Sequence, residues 1–127
     1  MIDHLSIQVR DVQAGAAFYD AALAPLGGRR VVEFGPVIGY GVGRPEFWLG
    51  PVETPGETRE AHIAFEAPDR AAVVAFYSAA TAAGAESLHA PALHPEYDEH
   101  YFGAFVRDPE GNNVEAVCRR PEPDSAS

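Results

Sequence analysis

Apolar and polar residues alternate in a short segment near the start of the chain, and the same pattern returns 58 positions later. The first segment, HLSIQVRD, begins at His4, and the second, HIAFEAPD, begins at His62. Alternation of this kind predicts a β-strand with one face against a core. Each segment ends on an aspartate that suits a helix N-cap, and seven residues later each copy has a Phe-Tyr pair. The chain is therefore predicted to contain two copies of one folding unit.

Each copy is predicted to consist of a strand, a helix and three further strands. The first copy has predicted strands at 4–9, 29–34, 37–42 and 46–49 and a helix at 12–26. The second has strands at 62–67, near 86–89, at 101–107 and at 113–118, a helix at 70–83, an irregular stretch at 90–100 and a tight turn at 108–111. We expect one domain over residues 1–118, built of repeats at about 2–50 and 60–118, followed by a polar, Pro-rich tail at 119–127.

Composition narrows the classes of function. A net charge of −10 argues against nucleic acid and an anionic membrane surface as partners. All nine basic residues are arginine, so a lysine Schiff base is excluded. The chain has one cysteine, no signal-peptide pattern after Met1 and no apolar run of membrane-spanning length, so we expect a cytoplasmic protein.

The strand pattern also predicts which way the histidines face. A helix must pack on the apolar face of each first strand, so His4 and His62 are expected on the opposite, open face. In the last strand, Glu115 alternates with apolar neighbours and is expected on that same face. Two imidazoles and one carboxylate would form a three-ligand site suited to Fe(II), Mn, Ni, Co or Zn, with positions left for water or substrate.

Simpler interpretations of these residues exist. A histidine that opens a strand is often only a hydrogen-bonded residue at a sheet edge. Trp48, which aligns with Glu115 in the first copy, is either a core residue or a wall of a substrate pocket. The polar and aromatic stretch from His94 to Tyr101 is either a solvated loop or the border of that pocket.

The segments IDHLSIQV, FYDAAL, AHIAF and FVRDPEGNNVEAV resemble the vicinal oxygen chelate superfamily, which includes glyoxalases, extradiol dioxygenases, fosfomycin-resistance transferases and bleomycin-binding proteins. The resemblance covers about residues 2–118. It implies an α+β fold in which two paired βαβββ units form a cup-shaped mixed sheet with helices on the outside. It also implies a divalent metal held by His4, His62 and Glu115. A homodimer is implied as well, whose site takes His4 from one chain and the other two ligands from its partner; the alternative, a cup within one chain, stays open.

The chain departs from the superfamily pattern at two positions. Glyoxalases generally have a fourth ligand, a glutamate, where this chain has Trp48, unless Glu46 shifts register to reach the site. Ring-cleaving members usually have a tyrosine ten residues before the ligand glutamate, where this chain has Phe105. The first departure makes glyoxalase activity less expected for this chain, and the second makes ring cleavage less expected.

Other residues are expected near the substrate. His100 and Tyr101, together with Glu115, are the catalytic candidates, because they could orient substrate or transfer protons once a metal has lowered the pKa of a bound oxygen. Trp48, Phe105 and Tyr97 are expected to line the pocket. His89 and His94 receive no assignment.

Two functions fit this reading. The first is a metal-dependent enzyme acting on a small substrate with adjacent oxygens, by lyase, isomerase, transferase or dioxygenase chemistry. The second is a metal-free protein that binds a drug-like molecule in an acidic, aromatic groove, as bleomycin-binding members do.

Overall fold

The two sequence copies fold into two four-stranded mixed sheets, each with one helix. This computed structural model describes residues 1–57 and 59–122. The elements are β1 Leu5–Val9, α1 Val12–Leu23, β2 Arg29–Phe34, β3 Val37–Gly41, β4 Phe47–Pro51, β5 His62–Glu66, α2 Arg70–Ala82, β6 Ser87–Leu93, β7 Phe102–Arg107 and β8 Asn113–Cys118.

The strands have the same arrangement in both sheets. Their orders are β1-β4-β3-β2 and β5-β8-β7-β6. The first strand of each unit pairs in parallel with the last, and the remaining neighbours are antiparallel. The expected α+β fold of paired βαβββ units is thereby confirmed.

Both helices begin where the sequence predicts, and α2 ends one residue before the predicted end at Ala83. The Asp11 and Asp69 carboxylates cap α1 and α2 by accepting hydrogen bonds from the backbone N–H groups three residues ahead, at 3.0 and 2.7 Å. The first α-helix was expected to reach Leu26 but ends at Leu23, and a 3-10 turn covers residues 24–26. Pro25 has no N–H to continue the α-helical bonding, which accounts for the change.

The core lies where the apolar faces of both sheets meet the two helices. Val9 and Leu49 from the first sheet, and Val114 and Ala116 from the second, are almost fully buried. The buried apolar residues of both units form one core cluster, so the units share an interior. Because neighbouring strand residues alternate, the opposite faces of the sheets carry the polar residues.

A buried hydrogen bond joins the two units. The Tyr19 hydroxyl of α1 donates to Asp108 Oδ2 at 2.7 Å, and both residues are buried. Asp108 also accepts from the N–H groups of Glu110 and Asn112, each at 2.9 Å, which orders the turn before β8. Burial, followed by the negative charge of Asp108, raises the pKa of the Tyr19 phenol far above its usual range, so Tyr19 remains a donor.

The sequence prediction was wrong for one segment of the second unit. Residues 90–93 were expected to be irregular but belong to β6, which ends at Leu93. Pro91 is tolerated there because β6 lies at the edge of its sheet, and its pairing with β7 is interrupted by register shifts. Elsewhere the predicted strand boundaries differ from the observed ones by at most two residues.

The end of the chain is only partly described. Arg119, the first residue of the predicted tail, lies with its guanidinium 4.9 Å from the centre of the Tyr101 ring, and residues 123–127 are outside the described part. Among the described residues, no helix is long and apolar enough to cross a membrane.

We predict that Tyr19→Phe lowers the free energy of unfolding by about 1–3 kcal/mol, because it leaves the buried Asp108 carboxylate without one of its donors. Urea denaturation measures this change. Tyr77 is the equivalent position 58 residues later, and its hydroxyl donates to Ser87 at an exposed site. Tyr77→Phe is therefore the matched control, with an expected change below about 0.5 kcal/mol. Equal effects of the two substitutions would contradict the proposed role of the Tyr19–Asp108 bond.

Candidate active site

His62 and Glu115 meet on the open face of the second sheet. β5 and β8 run in parallel with Ala64 opposite Glu115, which brings the His62 side chain next to that carboxylate. His62 Nε2 lies 2.6 Å from Glu115 Oε1. The His62 side chain is 55% exposed whereas that of Glu115 is 2% exposed. The pair therefore combines a buried carboxylate with an imidazole that solvent or a ligand can reach.

Tyr101 holds the other oxygen of the same carboxylate. Its hydroxyl donates to Glu115 Oε2 from the residue before β7. Burial raises the pKa of the Tyr101 phenol above its usual range, and the hydrogen bond to Glu115 raises it further. At neutral pH, Tyr101 is consequently a protonated donor that orients Glu115.

A glycine makes room for this contact. A Cβ atom built on Gly103 would lie 3.3 Å from both Glu115 Oε2 and Tyr101 Cε1. That spacing is tighter than ordinary van der Waals contact, so a side chain at this position would push the phenol or the carboxylate aside. Gly103 was not singled out from the sequence, since only the register of β7 against β8 shows its position.

Aromatic and imidazole rings cover the pair on one side. Phe105, opposite Glu115 in β7, lies 6.0 Å from the His62 ring, measured between centroids. The His94 ring packs against Phe105 at 5.4 Å and stacks on Tyr97 at 5.7 Å. Tyr97 in turn lies 5.1 Å from Tyr101. Phe105 and Tyr97, both expected in the pocket, thus lie beside the Glu115 centre.

The sequence reading missed His89 and His94. Both contact Phe105 at 5.4 Å between ring centroids, so they belong to the same group of rings. His94 Nδ1 lies 3.2 Å from Glu96, while its buried Nε2 has no hydrogen-bond partner among the described residues. His89 lay within the predicted strand at 86–89, and the register of β6 against β7 places it opposite Phe105.

His4 lies on the first unit and is not gathered with the other two predicted ligands. Its Nδ1 is 2.8 Å from Asp3, whose carboxylate also binds Arg44 at 3.0 Å. The His4 and Asp3 side chains are both largely exposed. Residues 1–57 and 59–122 of one chain contain no group of three or more His, Cys, Asp or Glu side chains placed to hold a metal ion. His4 and His62 do line one groove, together with Glu46.

Trp48 occupies the position in the first unit that Glu115 has in the second. Trp48 is paired with Ser6 in the β1–β4 ladder, just as Glu115 is paired with Ala64, and Ser6 and Ala64 are 58 positions apart. The Trp48 ring lies close over Gly39 and stacks on Phe34 at 6.4 Å. It lines an open groove together with His4 and Ser6.

His100 is the catalytic candidate that lies apart from this centre. Its ring nitrogen Nε2 is 3.9 Å from Glu99, and its backbone N–H donates to Asp98 at 3.2 Å. Its described contacts thus lie within its own loop, whereas Tyr101, the next residue, reaches Glu115.

The sequence matches the model of the Glyoxalase/Bleomycin resistance protein/Dioxygenase superfamily over residues 1–116. The chain belongs to this superfamily. No curated protein matches it. Both the motifs quoted above and the paired βαβββ architecture agree with the assignment.

Solved structures from the superfamily share the fold. A glyoxalase/bleomycin resistance protein from Albidiferax ferrireducens T118 is 24% identical, with a TM-score of 0.78, and the alignment covers 94% of this chain and 98% of that one. A lactoylglutathione lyase from Agrobacterium tumefaciens is 22% identical over 92% of both chains, with a TM-score of 0.68. The fosfomycin resistance protein FosX from Mesorhizobium loti is 16% identical over 92% of this chain and 90% of that one, with a TM-score of 0.66.

The donors present in one chain fit two of the three ligands that the superfamily resemblance implies. His62 Nε2 and Glu115 Oε1 already point toward each other at 2.6 Å, a nitrogen–oxygen pair suited to a borderline divalent cation. A cation between them would need His62 Nε2 in its deprotonated form and would replace their hydrogen bond. The third donor has to come from outside this cluster.

We predict that Gly103→Ala lowers the free energy of unfolding by about 1–3 kcal/mol, because the added methyl group displaces Tyr101 or Glu115. The control is Gly43→Ala, where a Cβ atom would meet nothing within 4 Å. Its effect should stay within about 0.5 kcal/mol in the same urea titration. If Gly103→Ala left the stability unchanged, a methyl group at position 103 would fit without displacing Tyr101 or Glu115, and the prediction would be wrong.

Proposed function

We propose that the protein is an enzyme that depends on a divalent metal and acts on a small substrate with two adjacent oxygen atoms. The observation that carries this proposal is the Glu115 carboxylate, which is buried on an open sheet face. His62 Nε2 lies 2.6 Å from one of its oxygens, and the Tyr101 hydroxyl donates to the other. A carboxylate enclosed in this way is strongly stabilised by a cation, and none of the nearby described contacts to it comes from an arginine.

The third ligand in this proposal is His4 of a second copy of the chain. His4 lies on the polar face of the first sheet, and β1 and β5 are both edge strands with one side unpaired. Pairing the first unit of one copy with the second unit of another would cover these edges. Each homodimer would then hold two sites, each drawing His4 from one protomer and His62 and Glu115 from the other.

The metal of this proposal is Fe2+, Mn2+, Ni2+, Co2+ or Zn2+, all of which accept two imidazoles and a carboxylate. When bound, such an ion supplies Lewis-acid polarisation of the two substrate oxygens. The side chains of the protein hold the metal and position the groups around it. His62 and Glu115 hold the centre, Tyr101 fixes the direction of Glu115, and the Phe105 ring lies against one side of His62.

Tyr101 and His100 are the two candidates for proton transfer. The raised pKa of Tyr101 makes it a proton donor or an orienting group rather than a base. His100 could serve as a base only after its loop has moved, because its described contacts are to Asp98 and Glu99. Trp48 and Tyr97 supply flat apolar surfaces for the part of the substrate that does not react.

The reaction proposed is lyase, isomerase, transferase or dioxygenase chemistry on vicinal oxygens. Two of the structural relatives are named as a lactoylglutathione lyase and a fosfomycin resistance protein. Trp48 stands at the position equivalent to Glu115, which argues against the four-ligand set of glyoxalases and favours the three-ligand chemistries. Phe105, in place of the assisting tyrosine, makes catechol cleavage the weakest of these. We further propose that residues 1–118 form the catalytic domain and that the protein acts in the cytoplasm.

A second candidate function is metal-free binding of a small molecule or drug. The observation that favours it is the absence, within the described part of one chain, of any three-donor cluster. The stacked Trp48 and Phe34 rings would provide its binding surface. The metal content of the purified protein separates the two functions.

We predict near-stoichiometric binding of one of these metals after reconstitution, measured by elemental analysis after extensive buffer exchange. His62→Ala and Glu115→Ala should each abolish retention, because each removes a ligand. His100→Ala should retain the metal, since the described contacts of His100 lie within its own loop. A wild-type protein that stays metal-free after reconstitution would eliminate the enzyme proposal and favour the binding protein.

We predict that two inactive variants complement each other if the site spans two copies. His4→Ala and His62→Ala should each lose the metal as homodimers, whereas a heterodimer formed by unfolding and refolding them together regains one intact site of its two. Random pairing makes half of the dimers mixed, so about a quarter of the wild-type metal should return. A mixture that binds no more metal than either variant alone would instead favour a site within one chain.

A further inference from the structure

The two ring nitrogens of His4 have different surroundings. Nδ1 lies 2.8 Å from Asp3 Oδ1, within hydrogen-bond distance. The Asp3 carboxylate is ionised at neutral pH and can only accept a hydrogen bond, so a neutral imidazole in this pair donates from Nδ1–H. Nε2 then keeps its lone pair, and it has no bonding partner among residues 1–57 and 59–122. This tautomer is the one that can bind a metal ion through Nε2.

The Asp3 carboxylate is itself held by Arg44. Its second oxygen, Oδ2, accepts a hydrogen bond from an Nη1–H of Arg44 at 3.0 Å, so the two carboxylate oxygens bind different partners. A carboxylate bonded at both oxygens has a defined direction, and the imidazole that donates to it is oriented with it. Arg44, Asp3 and His4 therefore form one hydrogen-bonded network.

Backbone contacts place Arg44 beside Asp3. Arg44 lies in the turn between β3 and β4, and the Glu46 carbonyl at the end of this turn accepts a hydrogen bond from the Leu5 N–H at 2.9 Å. The turn folds tightly against the end of β3, since a Cβ atom built on Gly41 would overlap the Arg44 carbonyl oxygen. The start of β1 and the turn that carries the guanidinium are thus held together by main-chain atoms.

His4 lies where two surface grooves meet. One groove contains Asp3, Arg44 and Trp48 and lies on the open face of the first sheet. The other groove contains His62. An imidazole at this junction, bonded to its own unit through Nδ1 alone, has Nε2 left for a group that comes from outside the unit.

The stability of the fold does not account for this network. More than half of the surface of each of the three side chains is exposed. An exposed ion pair contributes at most about 1 kcal/mol. The effect that remains is on the His4 ring, namely which nitrogen carries the proton and which way the ring faces. Carboxylates bonded to ligand histidines have this effect in metal sites, and they also make the ligand nitrogen more basic.

The second unit has no equivalent arrangement. Ala61 stands 58 positions after Asp3 and has no side-chain acceptor. His62 is bonded to the Glu115 carboxylate through Nε2, the atom that would bind the metal. The two histidines of the repeat therefore contact their carboxylates through opposite ring nitrogens, and only His4 has Nε2 without a partner inside one chain.

We propose that Asp3, held by Arg44, is a positioning residue that keeps the proton of His4 on Nδ1 and leaves Nε2 as the metal-binding atom. The ligand role of Nε2 rests on the proposed function, whereas the position of the proton follows from contacts within one chain. Asp3 acts through His4 and is not itself a ligand, because both of its oxygens are already bonded.

The first test measures the tautomer of His4 in the metal-free full chain. Imidazole ¹⁵N chemical shifts are recorded at about pH 9, well above the ordinary histidine pKa, and His4→Ala identifies the His4 signals among the five histidines. Wild-type His4 should be in the Nδ1–H form. Asp3→Ala should change it toward the Nε2–H form, which a neutral imidazole favours when it has no partner. Glu53→Ala removes an exposed carboxylate outside both grooves and should leave the tautomer unchanged.

The second test measures the affinity of the same variants for Co2+, followed by the visible absorption of the bound ion. Asp3→Ala should bind Co2+ about ten- to hundredfold more weakly than the wild type. Asp3→Asn keeps an oxygen that can accept from Nδ1–H, so it should recover most of the affinity. Arg44→Gln should weaken binding less than Asp3→Ala does, because the carboxylate stays. Arg29→Gln, the control for loss of an exposed arginine, should bind as the wild type does.

The two tests separate this inference from the proposed function. Wild-type His4 in the Nε2–H form, or a tautomer that is unchanged in Asp3→Ala, would overturn the inference whether or not the protein binds a metal. If the wild type and Asp3→Ala bind Co2+ equally tightly, the inference fails while the metal-dependent function stands. If the wild type retains none of the five candidate metals, the proposed function fails, and the ligand role of Nε2 fails with it.

Discussion

The enclosed charge of Glu115 is the constraint around which the open face of the second sheet is organised. An ionised carboxylate withdrawn from water loses several kcal/mol of hydration, and it is stable there only with well-placed partners. In one chain those partners are His62 and the Tyr101 hydroxyl. The small residue at position 103 and the packing of Arg119 on the Tyr101 ring both serve to keep the phenol in reach of the carboxylate.

The repeat of 58 residues duplicates the scaffold but not the chemistry. The two units share strand order, capped helices and parallel pairing of first and last strands. Their open faces differ at the matching positions of the last strand, where the first unit has Trp48 and the second has Glu115. The repeated βαβββ unit thus provides two sheets with the same strand order and pairing, and the side chains on their open faces differ.

The sequence predicted the fold well because strand alternation and helix capping are local signals. The alternation in HLSIQV and HIAFEA correctly placed His62 on the face opposite the helices, and Asp11 and Asp69 marked the helix starts. The β6 strand was predicted too short, since Pro91 normally ends a strand and only its edge position in the sheet permits it.

Contacts within the site were harder to predict, because they depend on register and on assembly. Tyr101 reaches Glu115 only because β7 and β8 pair with Phe105 opposite Glu115, which leaves Gly103 beside the carboxylate. His94 joins the rings through a loop whose path has no local sequence signature. The position of His4 relative to the other two ligands is a property of the assembled units, and no pattern along a single chain specifies it.

Each sheet has one irregular edge, formed by β2 or β6, and one regular edge, formed by β1 or β5, and this difference bears on aggregation. The pairing of β2 and of β6 with their neighbours is irregular, and β6 also contains Pro91, whereas the ladders of β1 and β5 are continuous in register. A bulged or proline-bearing edge is a poor template for a further strand. A further strand would therefore pair more readily with β1 or β5, and pairing of these two edges between two copies gives a closed assembly rather than a fibril that grows without limit.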